Sequence, residues 1–252
     1  MDGDLAARLR QALASSRSWL DDWIEEGGGA FPRPARKAPR PAEDALAPSA
    51  VSVPLPLARP EPSARLTLEE VRAELGDCTR CALCEGRTQI VFGDGNPDAD
   101  ILFVGEGPGE QEDLRGLPFV GRAGELLTQM IEKGMELARS DVYICNIVKC
   151  RPPANRTPLS AEVAACRSFL DGQIDAVAPR VIVSLGKPAA SLLLGRDVAI
   201  TRTRGTWQEY RGIALMPTLH PAYVLRQYTL ENRRNVWGDL KAALARSREA
   251  AG

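Results

Sequence analysis

Histidine is almost missing from this chain of 252 residues, in which His220 is the only one. That scarcity excludes any metal centre built on several imidazoles. Net charge is also nearly missing, with 32 Lys and Arg against 33 Asp and Glu. A chain so balanced has no bulk attraction for nucleic acid, and any such binding has to come from local clusters. No apolar stretch approaches the length of a bilayer span, and the N-terminus carries no basic-then-apolar export pattern. A cytoplasmic protein without a membrane partner is expected. The standard phosphate loops are absent as well. The run Ile101-Leu102-Phe103-Val104 leads into Gly105-Glu106-Gly107-Pro108-Gly109-Glu110, where a dinucleotide fingerprint would need glycine in place of Glu110. No Gly-Lys-Ser/Thr follows, and Glu112 and Asp113 would repel a pyrophosphate. The turn suits a ligand that tolerates a carboxylate, such as a neutral base or an activated water.

What is present divides the chain in three. Over residues 1–26, Leu5, Leu9, Leu13, Leu20 and Ile24 recur near helical spacing, with Trp19 and Trp23 on the same face, until Gly27-Gly28-Gly29 ends the pattern. Residues 27–65 are rich in Pro and Ala with little periodicity, the composition of a disordered linker. The N-terminal helix either folds back on the main domain or docks on a replication or repair partner, and the sequence does not choose. The main domain spans residues 66–252, opening with Thr67 as a helix cap and Glu70 three residues on. Four β-type runs follow, Ile101–Val104, Val142–Val148, Val181–Leu185 and Ile213–Met216. Helical segments lie between most of them, at Gly124–Leu137, Ser160–Val177 and Pro188–Leu194. This alternation predicts an α/β three-layer sandwich with a central, mostly parallel four-stranded sheet and helices on both faces. Ligands of such sheets lie beyond the carboxyl ends of the strands, which selects Glu106, Asn146 and His220.

Each of these residues has a chemical reason to be there. His220 sits in a loop restricted by Pro217 and Pro221 and can donate to an anion forming on a ligand. Asparagine is disfavoured inside strands, so Asn146 points to a hydrogen-bonding task, and its amide can read the imide edge of a base. Phe119 is by default a core aromatic, and becomes a stacking face if the ligand is planar. Of the six cysteines, Cys78-x-x-Cys81 precedes the first strand, while Cys150 and Cys166 lie far downstream. Two close and two distant thiols can form a site for zinc or an iron–sulfur cluster, and Cys84 also fits a ferredoxin-like triplet. Basic clusters at Lys149, Arg151 and Arg156, at Arg202 and Arg204, and at Arg226, Arg233 and Arg234 suggest a phosphate-tracking rim.

The ordered motifs together resemble the family 4 uracil-DNA glycosylases, the iron–sulfur branch found in bacteria and archaea. The matching pieces are Cys78-Thr-Arg-Cys81 with Arg87 and Val91-Phe92-Gly93, then Gly105-Glu106-Gly107-Pro108-Gly109 with Glu112-Asp113. Pro118-Phe119-Val120-Gly121-Arg122-Ala123-Gly124, Asn146-Ile147-Val148-Lys149-Cys150-Arg151-Pro152-Pro153 and His220-Pro221-Ala222-Tyr223 complete the set. The resemblance covers roughly residues 70–245 and leaves the N-terminal segment unmatched. It implies excision of uracil from single- and double-stranded DNA by a monomer that carries a [4Fe-4S] cluster on Cys78, Cys81, Cys150 and Cys166. Cys84 and Cys145 are then ordinary buried thiols. Glu106 and His220 would be catalytic, with Gly105, Gly107, Phe119, Asn146, Asn155 and Arg226 binding substrate. A superfamily relative traps DNA covalently through a histidine in a basic insertion after the Asn-x-Val-Lys stretch. Here Lys149 runs directly into Cys150-Arg151-Pro152-Pro153 without insertion or histidine, so ordinary turnover is expected. The alternative is a non-catalytic nucleic-acid-binding module with a structural four-cysteine zinc site.

Overall fold

The computed structural model describes residues 66–249. The expected helix of residues 1–26 and linker of residues 27–65 lie outside the described residues. The first described helix, α1 (Leu68–Leu75), begins as the sequence predicts: the Thr67 hydroxyl accepts from the Glu70 N–H, and the Glu70 carboxylate accepts from the Thr67 N–H. A one-turn helix, α2 (Leu83–Gly86), follows the first cysteine pair.

The central sheet has six strands rather than four. They are β1 (Asp94–Gly95), β2 (Ile101–Gly105), β3 (Tyr143–Asn146), β4 (Val181–Leu185), β5 (Gln208–Tyr210) and β6 (Ile213–Thr218), in the spatial order β1-β3-β2-β4-β6-β5. The middle four are parallel and correspond to the four predicted runs. The two extra strands are antiparallel edges. At two and three residues, they are too short to carry a periodic signal.

All five residues of β2 are buried, as expected for a parallel strand covered on both faces. Alternation divides them between two cores. Leu102 and Val104 face a layer formed with α1, α5 (Ser160–Val177) and α6 (Lys187–Leu194), through residues such as Val71, Phe169, Ile174 and Leu193. Ile101 and Phe103 face the opposite layer, with Leu127 of α4 (Arg122–Gln129) and Val236 and Leu240 of a long C-terminal helix. This is the three-layer arrangement that the strand–helix alternation predicts.

Two expected boundaries shift. The strand in the run Val142–Val148 ends at Asn146, with the Ile147 N–H making a last bond to β2 at the Gly105 carbonyl, 2.9 Å. The helix expected at Gly124–Leu137 starts at Arg122 and passes into a π turn at Met130–Gly134. Three shorter helices complete the chain order: α3 (Glu110–Arg115) before α4, then α7 (Ile200–Thr203) and α8 (Pro221–Arg226). The final helix, α9 (Leu230–Glu249), was not assigned from the sequence, where its few buried residues are diluted by charge.

Candidate active site

Parallel strands place their carboxyl ends along one edge, and that edge holds the crevice. Parallel register sets Gly105 of β2 opposite Asn146 of β3. A Cβ on Gly105 would collide with Asn146 Oδ1 and come within 2.5 Å of Phe119 Cζ. Only glycine lets the amide and the ring rest on this piece of backbone. Gly105 is therefore the floor beneath them, and its carbonyl accepts from the Ile147 N–H. Glu106 and Gly107, one and two residues on, line the crevice and are half-buried.

Asn146 is 1% exposed, yet neither its Nδ2 nor its Oδ1 has a hydrogen-bond partner among the described residues. A buried amide left unmatched carries a penalty of about 1–3 kcal/mol per group, which a ligand with complementary groups removes. Its main chain is held from below. The Lys149 ammonium donates to the Asn146 carbonyl at 2.7 Å and to the Gln173 side-chain oxygen. Lys149 is fully buried, so it does not belong to the expected phosphate rim.

Phe119 is buried with φ of 52°, a left-handed conformation uncommon for a bulky residue. Neighbours on both sides hold it there. Arg139 donates to the Pro118 carbonyl at 2.6 Å, and the Glu112 carboxylate accepts from Val120 and Gly121 N–H at 2.9 and 2.8 Å. Gly124 is needed too, since a Cβ there would collide with the Phe119 carbonyl. Glu112 also accepts from Gly109 N–H at 3.1 Å, and so ties the Glu106 loop to the Phe119 loop. Its neighbour Asp113 is 2% exposed and accepts from the Thr88 and Gln89 N–H groups. The two acids that argued against a pyrophosphate thus serve the backbone. Sequence reading missed the positioning work of Glu112, Lys149 and Gln173; the lysine directly after the apolar pair Ile147-Val148 was the available signal.

His220 stands at the N-terminus of α8, with its ring centroid 5.7 Å from that of Phe119 and tilted by 33°. Its Nδ1 accepts from the Ala222 N–H at 3.1 Å. In the neutral ring the proton therefore sits on Nε2, which becomes the donor. Burial holds its pKa down to about 4, helped by the positive charge of Arg226 and opposed by Glu112. The preceding strand is anchored through Thr218, whose hydroxyl donates to Asp239 at 2.6 Å. Arg204 grips the same carboxylate, so it is a structural partner and not a free rim cation. Arg156 is likewise committed to Glu162. Arg226 and Tyr223 are exposed at the crevice edge. Asn155 is also at that edge, with φ of 54° and its side chain accepting from Arg151 at 2.8 Å.

A family model described as the uracil DNA glycosylase superfamily matches residues 92–241. The chain is 49% identical over 178 residues to the type-4 uracil-DNA glycosylase of Thermotoga maritima, a match covering 70% of this chain and 92% of that protein. It is 46% identical over 167 residues to that of Sulfurisphaera tokodaii, covering 63% and 76%. With that of Saccharolobus solfataricus the identity is 43% over 166 residues, covering 63% and 77%. The chain belongs to the uracil-DNA glycosylase superfamily, in its type-4 branch.

In this glycosylase-family chain the four cysteines named from the motifs share one region. Cys150 and Cys166 are buried in the core layer under α5, and Cys78 and Cys81 pack against it. Cys150 is influenced electrostatically by Cys166 and Cys81, and Cys166 by Cys81 and Cys78. Burial raises the Cys150 thiol to about 11, against the pull of Arg87, which donates to its sulfur at 3.5 Å. Among the described residues no group of three or more His, Cys, Asp or Glu side chains gathers as a site for a metal ion. The donor chemistry, four soft thiols with the Arg87 cation donating to one sulfur, fits a thiolate-bound group attached at four separated points. Cys145 is fully buried as expected, whereas Cys84 is only half-buried on the short helix α2. Among the described residues no helix is long and apolar enough to cross a membrane.

Proposed function

We propose that this chain excises uracil from DNA by hydrolysing the N-glycosidic bond of an extruded deoxyuridine, leaving an abasic site for base excision repair. The observation that carries the reading is the buried, unpartnered amide of Asn146, which lines one crevice with the Phe119 ring and His220. Uracil offers O4 as acceptor and N3–H as donor, and an asparagine amide matches both at once. Cytosine reverses that pattern. The base has to leave the stack to reach this depth, which is easiest from a mismatch or a single strand. Phe119 stacks on it. As the C1′–N1 bond breaks, its electron pair moves into the uracil ring, and Nε2–H of His220 donates to O2 of the resulting anion. Glu106 positions a water and accepts its proton while the water oxygen bonds to C1′, and its carboxylate favours the positive charge developing on the sugar. Gly107 gives the backbone room to approach the base. Arg226 and Asn155 hold phosphates at the rim, and the exposed Tyr223 fills the gap left in the duplex.

Cys78, Cys81, Cys150 and Cys166 would hold a [4Fe-4S] cluster that, when bound, braces the loops between them. The protein acts as a cytoplasmic monomer on uracil-containing DNA, with residues 1–26 available to a repair or replication partner. The second reading, a non-catalytic module with a structural zinc, accounts for the cysteines and exposed arginines. It leaves Asn146, Glu106 and the left-handed Phe119 without a shared task. A brown protein absorbing at ~400 nm supports iron–sulfur over zinc. Uracil release compared between the native chain and Asn146→Ala tests the main reading. Release should be lost with the circular dichroism spectrum unchanged, and undiminished release by the variant would refute it.

A further inference from the structure

A buried ammonium normally has an anion beside it. Among the described residues Lys149 has none: it is fully buried, and its two acceptors, the Asn146 carbonyl and the Gln173 amide, are both neutral. Among the described residues, the buried carboxylates are engaged elsewhere. Asp113 serves the Thr88 and Gln89 N–H groups, Glu162 pairs with Arg156, and Asp239 pairs with Arg204. Two buried thiols do feel the Lys149 charge. Its field reaches Cys145 and Cys166, and Cys150 is the next residue. As neutral thiols these groups supply no counter-charge. As cluster ligands Cys150 and Cys166 are thiolates.

We propose that Lys149 is a positioning residue linking the cluster to the base-reading site: its ammonium balances the thiolate-bound cluster and, fixed there, clamps the main chain of Asn146. The inference rests on the iron–sulfur reading above. One charged group then stands between the two centres. Gln173 braces it from the far side, donating in turn to the Phe92 carbonyl at 2.9 Å and to the Tyr143 hydroxyl at 3.1 Å. Phosphate contacts at the rim do not pass through Lys149, so its loss should act on turnover rather than on DNA affinity.

The test uses the full-length chain as purified, comparing the native protein with Lys149→Met for iron content, cluster reduction potential, and kcat and KM on a uracil oligonucleotide. Removing a cation beside the cluster disfavours the added electron, so the variant should have a lower potential and retain less iron. Its kcat should fall roughly 10- to 100-fold, the usual range for outer-shell partners of a metal site, with KM little changed. Native iron content, potential and kcat in the variant would overturn the proposal. A lower kcat with native iron content and potential would overturn the link to the cluster. Native protein without iron would instead remove the cluster reading itself, and the proposal with it. If Lys149→Met does not fold, Gln173→Leu keeps the charge and removes one acceptor. It should retain iron and potential while kcat falls about tenfold, the low end for outer-shell partners, and an unchanged kcat would overturn the clamp.

Discussion

An imidazole can stabilise a departing uracil anion only when its proton is on the nitrogen facing the base. In His220 the Ala222 N–H occupies Nδ1, which leaves Nε2 as the donor without any need for a positive charge. Because the ring's pKa is held at about 4, excision should show no titration from His220 between roughly pH 5 and 8. Stability carries the opposite signature. The unfolded chain binds a proton near 6.5 and the folded chain only near 4, so the unfolded state holds more protons in between. The contribution is complete above about 6.5 and is lost as pH falls toward 4, which melting temperatures of the native chain and His220→Gln across this window would reveal. Replacing His220 by Ala should lower the single-turnover rate about a hundredfold, near 3 kcal/mol, with the fold intact. At this scale the sequence was legible where an unusual residue stood in a predictable place: the sole histidine after a strand, an asparagine at a strand's end. Lys149 was misplaced because a lysine beside arginines reads as surface, and only burial against Gln173 shows otherwise.

Among the elements, the loops after β2 and before α4 are the ones that need support. A single carboxylate, Glu112, holds three N–H groups across them. In Glu112→Ala those donors lose their partner and the left-handed Phe119 loses one of its two restraints. We expect the turnover rate to fall at least about tenfold, together with a loss of roughly 2–3 kcal/mol in denaturant unfolding, the strength of charge-assisted bonds. Unchanged turnover would show that the loop holds Phe119 without it. Asp239 plays the matching part for the strand that ends before His220, through Thr218 and Arg204. Asp239→Ala leaves a partly buried guanidinium unpaired and should destabilise the chain by about 3–5 kcal/mol, visible as a lowered melting temperature. Neither tie was legible in the sequence, since each spans separate segments. The capping box at Thr67 was legible because it is local.

For the whole molecule, four parallel strands with helices on both faces could be read from alternating patterns, and the crevice followed from where such strands end. The two edge strands and the last helix escaped because brief or charge-diluted segments carry little periodicity. A near-neutral chain that binds DNA through a few exposed rim cations should make few phosphate contacts, so affinity for a uracil oligonucleotide should fall only modestly with salt. A steep slope would require cations beyond Arg226 and its neighbours. The most direct test of the central claim is uracil release from a single-uracil oligonucleotide, single-stranded and paired with guanine, followed by alkaline cleavage at the abasic site. The structure predicts multiple-turnover cleavage confined to the uracil position on both substrates. No cleavage by cluster-loaded protein would contradict it.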